Sequence, residues 1–453
     1  VMKRRHVFLH SLLTFSALIF SLTGCGQTTK TESVGSQETK TPLFVVTGFA
    51  SEMKNITSDS LLIKWKTNEL YVLNTRYNDA RTFFRCDGGK TVQQLDSFIS
   101  VSHDQLLVCG IEDLTPRLPA LSIDNINFFE EQTRYPFTVV STQLPVDSSQ
   151  LTWLSITGVT AISRGSGLVA DQKGSDFLID GIRNQFTHTD ILHISNEVSF
   201  TETCAYVPKT MQFCTKCRDF ELFKKLGVDI VELTGNHNRD FGKQPFIDTY
   251  TWYIENGFKI FGGGRSPAEA ARPLVLEVCN GYRLAFIGFN EFCPCNECAD
   301  EPGEPGANRW NKTKATATID SLRRAGVDYI IASVQFGEVD SYQPTETQKN
   351  ITHYLIDAGA DLVYGAQAHQ IQQFEFYKGK PIMNGLGNFL FDQIHRIGVR
   401  QSCFVHLIFY KGKLIQLRPI YTMMGIDRQL KLATPDEEKL IRQEVLKKEL
   451  LYR

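Results

Sequence analysis

The sequence has no excess of charge of either sign. Its 453 residues include 48 Lys and Arg against 50 Asp and Glu, a formal net charge of -2. Binding to nucleic acid, or to an anionic membrane by charge alone, depends on a clear positive balance, so both are excluded as the main function. The composition is not biased either, because 42% hydrophobic and 22% charged residues are typical of a globular chain of two or three domains. Wholesale disorder and collagen-like repeats are therefore excluded.

Long apolar runs are absent except near the N-terminus. There, the basic residues 3–5 precede an apolar run from Leu12 to Leu22, which is too short for an ordinary transmembrane helix and is typical of an export signal. The segment Leu22-Thr23-Gly24-Cys25 resembles the lipobox of bacterial lipoproteins. We therefore expect residues 1–24 to be removed, Cys25 to be lipidated, and the protein to be extracytoplasmic and anchored to the cell membrane. The alternative is a plain secretory signal with Cys25 as a spare thiol.

Changes in composition divide the remaining chain. Residues 25–43 are rich in Thr, Ser, Gly and Gln with almost no large apolar side chains, so we expect a flexible tether. Residues 44–147 predict a small α/β or β-rich domain of unknown role, because short apolar runs are broken by Gly and Pro. From 151 to 424, strand-like and helix-like segments alternate and then shorten to hairpins. Thr434-Pro435-Asp436-Glu437 predicts a capped C-terminal helix over 434–453.

The region from residue 151 predicts an α/β fold with a mostly parallel sheet. The predicted strands are Leu151–Thr157, Ile191–Ser195, Asp229–Leu233, Phe258–Phe261, Arg283–Phe289, Asp328–Val334 and Asp361–Tyr364. The predicted helices are Asp219–Leu226, Lys243–Glu255, Thr316–Ala325 and Thr345–Ala358. In open α/β sheets, ligands bind at the carboxyl ends of the strands. The polar segments that follow these strands are therefore the candidate site.

Four polar segments lie at such positions. They are Thr157–Arg164, Ser195–Glu197, Thr234–Gly242 and Gly365–Gln370. Any one of them is compatible with a helix cap or a turn. Four at the strand ends of one region indicate a binding or catalytic site.

Ten cysteines follow Cys25, and export favours disulfides over a structural zinc site by about three to one. The compact clusters are Cys214-x-x-Cys217 and Cys293-x-Cys295-x-x-Cys298. Both follow predicted strands of one sheet, so we predict at least one disulfide within the group from Cys204 to Cys298. The pairing stays open, and buried free thiols are a third alternative for Cys279 and Cys403.

Several segments carry a family resemblance. They are SNE, TGNHNRDFG, VQFG after a strand, LIDAGADLVYGAQAHQIQQFEFYKGKPI and GLGNFLFDQ. Over roughly Leu151 to Met424 the chain resembles the bacterial capsule-synthesis CapA family, associated with poly-γ-glutamate capsule production. That family is similar to calcineurin-like metallophosphoesterases. The resemblance implies an α/β sandwich with two divalent metals at the strand ends.

The resemblance also implies roles for single residues. Glu197 falls where a carboxylate bridges two metals, and Asn236 falls where an amide oxygen binds one of them. His237 falls where an imidazole serves the phosphoryl oxygens as acid or electrostatic stabiliser, and we expect Asp240 to orient it. His369 falls on the last histidine of the family's His-x-His element.

Three positions depart from the family pattern. Val159 stands where the family has Asp, Gln335 where it has His, and Gln367 where it has the first histidine of His-x-His. Two divalent ions about 4 Å apart repel strongly unless several anions neutralise them. Glu197 alone cannot do this, and the amide oxygens around it suit Mg²⁺ or Ca²⁺ better than a transition metal. We therefore expect weak binding of a single divalent cation, or none.

Three functions are compatible with these residues. The first is a divergent hydrolase with a rebuilt site, acting on a phosphoester, a small anionic substrate or an anionic envelope polymer. The second is a non-catalytic binding protein for an envelope polymer or sugar, since a cleft of amide and aromatic groups suits polyols. The third is a structural scaffold. Arg164 and Asn388 are candidate substrate contacts, with a surface arginine and a turn asparagine as their alternatives.

Overall fold

The computed structural model of the protein describes residues 39–99, 104–141, 145–294, 297–337 and 340–452. The expected signal segment, the lipidation residue Cys25 and most of the expected tether lie outside these residues. Within the described ranges, no helix is long and apolar enough to span a membrane. From Thr39 onward the chain packs as one compact unit.

Strands occur throughout the described chain. In chain order they are β1 (Thr39–Pro42), β2 (Phe44–Val46), β3 (Asn55–Ile56), β4 (Leu70–Leu73), β5 (Lys90–Val92), β6 (Leu106–Cys109), β7 (Ser122–Ile123), β8 (Thr138–Ser141), β9 (Leu151–Thr160), β10 (Ile191–Asn196), β11 (Ile230–Glu232), β12 (Lys259–Phe261), β13 (Gly263–Gly264), β14 (Leu274–Glu277), β15 (Arg283–Asn290), β16 (Gly306–Ala307), β17 (Tyr329–Gln335), β18 (Leu362–Ala366), β19 (Phe374–Tyr377), β20 (Lys380–Met383), β21 (Asn388–Leu390), β22 (Gln401–Tyr410), β23 (Lys413–Met424) and β24 (Leu430–Leu432). Each strand predicted from residue 151 to residue 364 is present, with small displacements of its ends.

Helices connect many of these strands. In chain order they are α1 (Ser58–Lys66), α2 (Tyr77–Phe84), α3 (Leu95–Ile99), α4 (Arg164–Lys173), α5 (Glu221–Leu226), α6 (Lys243–Glu255), α7 (Pro267–Ala270), α8 (Lys312–Arg324), α9 (Glu346–Asp357), α10 (Ile397–Arg400), α11 (Pro435–Val445) and α12 (Lys448–Leu451). The predicted capping box of Thr434 and Glu437 is confirmed, but the C-terminal helix ends at Val445 and is followed by the short α12.

Two mixed sheets form the larger part of the fold. The first has the strand order β12-β11-β10-β9-β22-β23-β24, with β21 also paired to β9, and the second has the order β14-β15-β17-β18-β20-β19. Strands β9 to β12 pair in parallel, as do β15, β17, β18 and β20. The other strands of the two sheets, apart from β21, add antiparallel pairs. The predicted α/β sandwich with mostly parallel strands is confirmed.

The two sheets share one apolar core. Leu154 and Ile230 of the first sheet belong to the same buried cluster as Phe286 and Ile331 of the second. Helices α5 and α6 pack on the first sheet and helices α8 and α9 on the second. Burying a side chain of leucine or phenylalanine size contributes about 1.5–3 kcal/mol. These layers therefore provide the main favourable term in folding.

Residues 44–147 contain a smaller sheet with the strand order β2-β6-β4-β5. Trp65 of α1 is fully buried beside it and stacks on Phe84, with ring centroids 4.9 Å apart. The same apolar cluster includes Trp153 and Ile408 of the sandwich, so the two regions share a continuous core. The domain boundary near residue 147 stays a prediction.

Among the described residues, two disulfides are present, Cys204–Cys214 and Cys293–Cys298, which confirms the prediction of at least one in this group. The expectation that both clusters leave one sheet is wrong, because the first follows β10 of the first sheet and the second follows β15 of the second sheet. Cys279 and Cys403 are free thiols, as is Cys217. Cys295 lies outside the described residues.

A polar cluster interrupts the apolar core between the sheets. Glu232 on β11 is fully buried, and its Oε2 accepts a hydrogen bond from Tyr364 at 2.8 Å and lies 3.1 Å from Nε2 of His193. Its Oε1 accepts from Thr234 at 2.5 Å and also from Ser333. Burial acts to raise the pKa of Glu232, but the contacts with His193, Ser333 and Thr234 outweigh it and the pKa is lowered. The cluster therefore ties the first sheet to Ser333 and Tyr364 of the second.

Glu232→Gln tests this link. At neutral pH we expect a loss of about 3 kcal/mol in the free energy of unfolding, because four buried groups lose a charged hydrogen-bond partner. A carboxyl with a lowered folded pKa contributes stability above its unfolded pKa, and this contribution is lost as the pH falls through the folded pKa. Urea denaturation should therefore show that the difference in free energy of unfolding between Glu232→Gln and the wild type becomes smaller in acid. The control Ser402→Ala, which removes a buried hydrogen bond between the neutral hydroxyls of Ser402 and Thr422, should cost about 1 kcal/mol without this narrowing. A difference for Glu232→Gln that stays constant in acid would contradict the assignment.

Candidate functional site

Glu197, Asn236, Gln335 and Gln367 come together where strands of both sheets end. Glu197 directly follows β10, Gln335 ends β17, Gln367 directly follows β18, and Asn236 lies in the loop after β11. The Nε2 atom of Gln335 lies 2.5 Å from Oε1 of Glu197 and 3.2 Å from Oδ1 of Asn236, and it also donates to Oε1 of Gln367. We call these four residues the amide centre. All four were predicted from the sequence.

The amide centre is closed to solvent. Glu197 and Gln335 are 0% exposed, and Gln367 and Asn236 are buried as well. Within the described part of the chain, Oε2 of Glu197 and Oε1 of Gln335 have no hydrogen-bond partner. Burying a carboxylate is costly unless donors surround it. The N–H group of Gln335 is therefore an essential partner of Glu197.

Close packing between loops brings the amide centre together. A Cβ atom at Gly235 would lie 2.6 Å from Cα of Glu197, so the Thr-Gly-Asn turn passes Glu197 only because residue 235 is glycine. Asn290, at the end of β15, donates through Nδ2 to the backbone oxygen of Thr234 at 2.7 Å. The second sheet therefore holds the loop that carries Asn236.

His237 lies at the edge of the amide centre and is paired with Asp240. Its Nδ1 atom lies 2.8 Å from Oδ2 of Asp240, which also accepts a hydrogen bond from the backbone N–H of Phe213 at 2.6 Å. The ring of Phe213 lies over the imidazole, with centroids 4.0 Å apart. The His237 side chain keeps 14% of its surface exposed. The structure thus places Asp240 where it orients His237, and the catalytic roles of both residues stay predictions.

The charges around His237 favour its protonated form. Burial acts to lower the pKa of the imidazole, but the hydrogen bond with Asp240 and the negative charges of Glu197, Asp240 and Glu297 outweigh it and raise the pKa. A cationic imidazolium at a partly exposed position suits an anionic ligand.

Val159 and Arg164 lie on the other side of Phe213. Val159 is buried in an apolar cluster with Phe213 and Phe391, so no charged group occupies this position. The guanidinium of Arg164 lies over both rings, 4.3 Å from the centroid of Phe213 and 5.4 Å from that of Phe391. It is also paired with Asp392, with Nε 2.8 Å from Oδ1. The predicted contact of Arg164 with a ligand would therefore compete with an internal ion pair.

His369 and Asn388 form a separate buried pair. The Nδ1 atom of His369 lies 2.8 Å from Oδ1 of Asn388, whose Nδ2 donates to the backbone oxygen of Val399 at 3.0 Å. Asn388 is 1% exposed, and both of its polar atoms are engaged within the protein. This burial disfavours the predicted substrate contact of Asn388 and favours its structural alternative.

The sequence reasoning missed two residues beside His237, namely Phe213 and Glu297. Glu297 is buried, and its Oε2 accepts a hydrogen bond from the backbone N–H of Arg239 at 2.8 Å. Burial raises its pKa to about 7, in spite of the hydrogen bond from Arg239. Both residues belong to cysteine-containing segments, for which the sequence indicates disulfides or a structural zinc site. The single signal in the sequence was that each neighbours a cysteine.

The region that contains this site also identifies the family to which the chain belongs. The pattern of the family described as bacterial capsule synthesis protein PGA_cap matches residues 154–393, more than half of the chain, and includes β9 to β21. The chain belongs to this family. The resemblance to CapA proteins is thereby confirmed.

Curated relatives are similar over about half of this chain. The PGA biosynthesis protein CapA of Bacillus subtilis is 24% identical over 241 residues, which are 53% of this chain and 63% of the relative. The capsule biosynthesis protein CapA of Bacillus anthracis is 24% identical over 257 residues, 55% of this chain and 62% of the relative. A probable polyglutamine synthesis accessory protein of Mycobacterium tuberculosis is 29% identical over 226 residues, 48% and 59% of the two chains. The chain thus spans less than two thirds of these relatives.

Solved structures with distant similarity include a phosphoesterase and a putative nucleotidase. The calcineurin-like phosphoesterase YfkN of Bacillus subtilis has a TM-score of 0.36 and 12% identity, covering 66% of this chain and 99% of that one. A putative 5'-nucleotidase of Staphylococcus aureus has a TM-score of 0.39 and 11% identity, covering 65% and 58%.

The donor atoms of the amide centre do not fit a pair of divalent cations. It offers one carboxylate and three amides, whereas two neighbouring divalent ions need several anions between them. Among the described residues, no group of three or more His, Cys, Asp or Glu side chains is arranged to hold a metal ion. The oxygen atoms by themselves suit a single hard cation, but the Nε2 atom of Gln335 lies between them.

Glu297 gives the site a measurable pH dependence. Its carboxyl holds a proton more tightly in the folded than in the unfolded chain, so its contribution to stability is largest below the unfolded pKa of 4.5 and is lost as the pH rises to about 7. Glu297→Gln has no titratable carboxyl at this position, so the variant does not lose this stability as the pH rises. Between pH 4 and 8, urea denaturation should show the variant gaining up to about 3 kcal/mol relative to the wild type.

The matched control for this prediction is Glu304→Gln. The pKa of Glu304 is lowered, chiefly by its hydrogen bond with Lys243, so this variant should show no such gain as the pH rises. Equal pH profiles for Glu297→Gln and the wild type would refute the assignment.

Proposed function

We propose that this protein acts outside the cytoplasm, anchored to the cell membrane through lipidated Cys25, in the synthesis or processing of an envelope polymer of the poly-γ-glutamate type. Membership of the capsule synthesis family supports this proposal. So do the names of the two Bacillus relatives, which refer to PGA and capsule biosynthesis. The signal and lipobox pattern of residues 3–25 supports the anchor.

At the candidate site, we propose binding of the anionic polymer, or of a small anionic substrate, rather than two-metal hydrolysis. The observation that carries this choice is the complete burial of Glu197 and Gln335, hydrogen-bonded to each other. A carboxylate in this state is engaged by the protein and cannot also neutralise two metals. The partly exposed His237, held by Asp240, provides the positive charge for a carboxylate ligand.

Weak hydrolysis is the second candidate function, and the contact of His237 with Asp240 favours it. With Nδ1 held by Asp240, the Nε2 atom is left to donate a proton to a leaving group, so His237 would act as general acid and Asp240 as its positioning residue. Glu197 and the amide oxygens would then hold at most one Mg²⁺ or Ca²⁺ ion, which would stabilise negative charge on the substrate.

Labelled poly-γ-glutamate provides the test of binding. We expect the purified protein to bind the polymer in a fluorescence anisotropy titration, and His237→Ala to weaken binding about tenfold, because one charge-assisted hydrogen bond of about 1.4 kcal/mol is lost. The matched control is His353→Ala, because His353 is a half-buried histidine that is likewise paired with an acidic residue, Glu375. This control should bind as tightly as the wild type.

Metal content and turnover decide between the two candidates. Phosphoester turnover that needs added Mg²⁺ or Ca²⁺ and is lost in His237→Ala would favour weak hydrolysis. Two tightly bound transition metals per chain, together with rapid turnover, would overturn both proposals for the site.

Cys25→Ser tests the membrane anchor. We expect the variant to move from the membrane fraction to the soluble or secreted fraction while remaining folded, because it lacks the thiol that would carry the lipid. The matched control is Cys86→Ser, which replaces a free cysteine of the folded region and should stay in the membrane fraction. Retention of Cys25→Ser at the membrane, measured by fractionation and immunoblotting, would contradict the proposal.

A further inference from the structure

In the amide centre, three oxygen atoms converge on one nitrogen. They belong to Glu197, Asn236 and Gln367, and the nitrogen is Nε2 of Gln335. An amide nitrogen carries two hydrogens, so it cannot give a full hydrogen bond to each of three acceptors. Several oxygens, one of them charged, that meet at one point are typical of a hard-cation site in proteins. Here an N–H donor occupies that point.

We propose that the side-chain amide of Gln335 takes the place of a cation in the amide centre, so that this centre is held together without a metal ion. The inference deepens the proposed function and rests on it, since it explains why the same site binds a ligand without metal chemistry. A divalent cation could reach the three oxygens only by displacing the amide of Gln335.

The surroundings fix the orientation of the Gln335 amide. If its Oε1 atom replaced Nε2, it would face the oxygens of Glu197, Asn236 and Gln367, and Glu197 would lose a donor while fully buried. Leaving a buried carboxylate without donors is unfavourable. The hydrogen-bond acceptors therefore specify that the N–H side of the amide points inward.

Strand β17 also carries a second hydrogen-bond donor to a buried carboxylate. Ser333, two residues before Gln335 and on the same face of the strand, donates to the buried carboxylate of Glu232. Consecutive inward positions of one strand thus provide hydrogen-bond donors to two buried carboxylates of the first sheet. Gln335 donates to Glu197 at the strand end, as Ser333 donates to Glu232 deeper in the core.

Gln335→Ala tests the proposal by removing the amide. The three oxygens should then face one another around a vacated volume, and a cation should become favourable. Thermal unfolding of the full-length protein should show no response of the wild type to added Mg²⁺ or Ca²⁺. Gln335→Ala should have a lower midpoint, and the same ions should raise it by several degrees. A wild-type midpoint that rises with either ion, or stoichiometric divalent metal in the purified wild type, would overturn the proposal.

Gln348→Ala is the matched control. Gln348 is also buried, and its Nε2 donates to Oε1 of Gln372 at 2.7 Å, so its loss leaves only neutral acceptors. We expect a lower unfolding midpoint that neither Mg²⁺ nor Ca²⁺ restores. Restoration equal to that of Gln335→Ala would show a general effect of the ions and would overturn the inference.

If Gln335→Ala does not fold, Gln335→Glu provides a second test of the proposal. It preserves the side-chain shape and places a second carboxylate against Glu197, so Ca²⁺ binding should appear in isothermal titration calorimetry. Gln348→Glu, its control, should bind no Ca²⁺. Absence of Ca²⁺ binding by folded Gln335→Glu would overturn the proposal, because the oxygens would then not form a cation site.

The polymer titration separates this inference from the proposed function. If the wild type does not bind poly-γ-glutamate but shows the expected indifference to cations and the expected rescue of Gln335→Ala, the proposed function fails while the role of Gln335 holds. If the polymer binds and the wild type also binds Mg²⁺ or Ca²⁺, the role of Gln335 fails alone.

Discussion

A buried carboxylate needs hydrogen-bond donors, and this requirement governs how the two sheets meet. Glu232 and Glu197 belong to the first sheet and to the loop that leaves it, and both are fully buried. Ser333, Tyr364 and Gln335 of the second sheet supply donors to them. The apolar core would permit many relative positions of two sheets, whereas these hydrogen bonds permit few. The positions of Glu197 and Gln335 in the amide centre therefore depend on this interface.

The fold could be predicted where the sequence signal is local. Helix Lys243–Glu255 matches its prediction residue for residue, because amphipathic spacing and flanking glycine act within the segment itself. The division into two sheets depends on pairing between distant strands, which local patterns do not encode, so the two cysteine clusters were wrongly placed at one sheet. The four residues of the amide centre were predicted from the family resemblance. Glu297 and Phe213 escaped notice because loops from different sheets bring them to His237.

Amide side chains are prominent among the polar groups at the strand ends. The strand ends still bring polar side chains to one place, as the resemblance implied, but amide groups hold several of the positions. An imidazole nitrogen offers a lone pair to a metal, whereas the Nε2 atom of Gln335 offers hydrogens to oxygens. Glutamine in place of histidine at position 335 thus attracts hydrogen-bond acceptors instead of a metal ion. Fold membership alone would not reveal this difference.

The disulfide Cys204–Cys214 has a consequence for when the site becomes complete. Phe213 is the neighbour of Cys214, and its backbone N–H donates to Asp240 while its ring covers His237. Before the two thiols are oxidised, no cross-link closes the loop between Cys204 and Cys214, and the aromatic cover and the second donor to Asp240 are less firmly held. Firm placement of the aromatic cover over His237 therefore depends on an oxidising compartment, where disulfides form and persist.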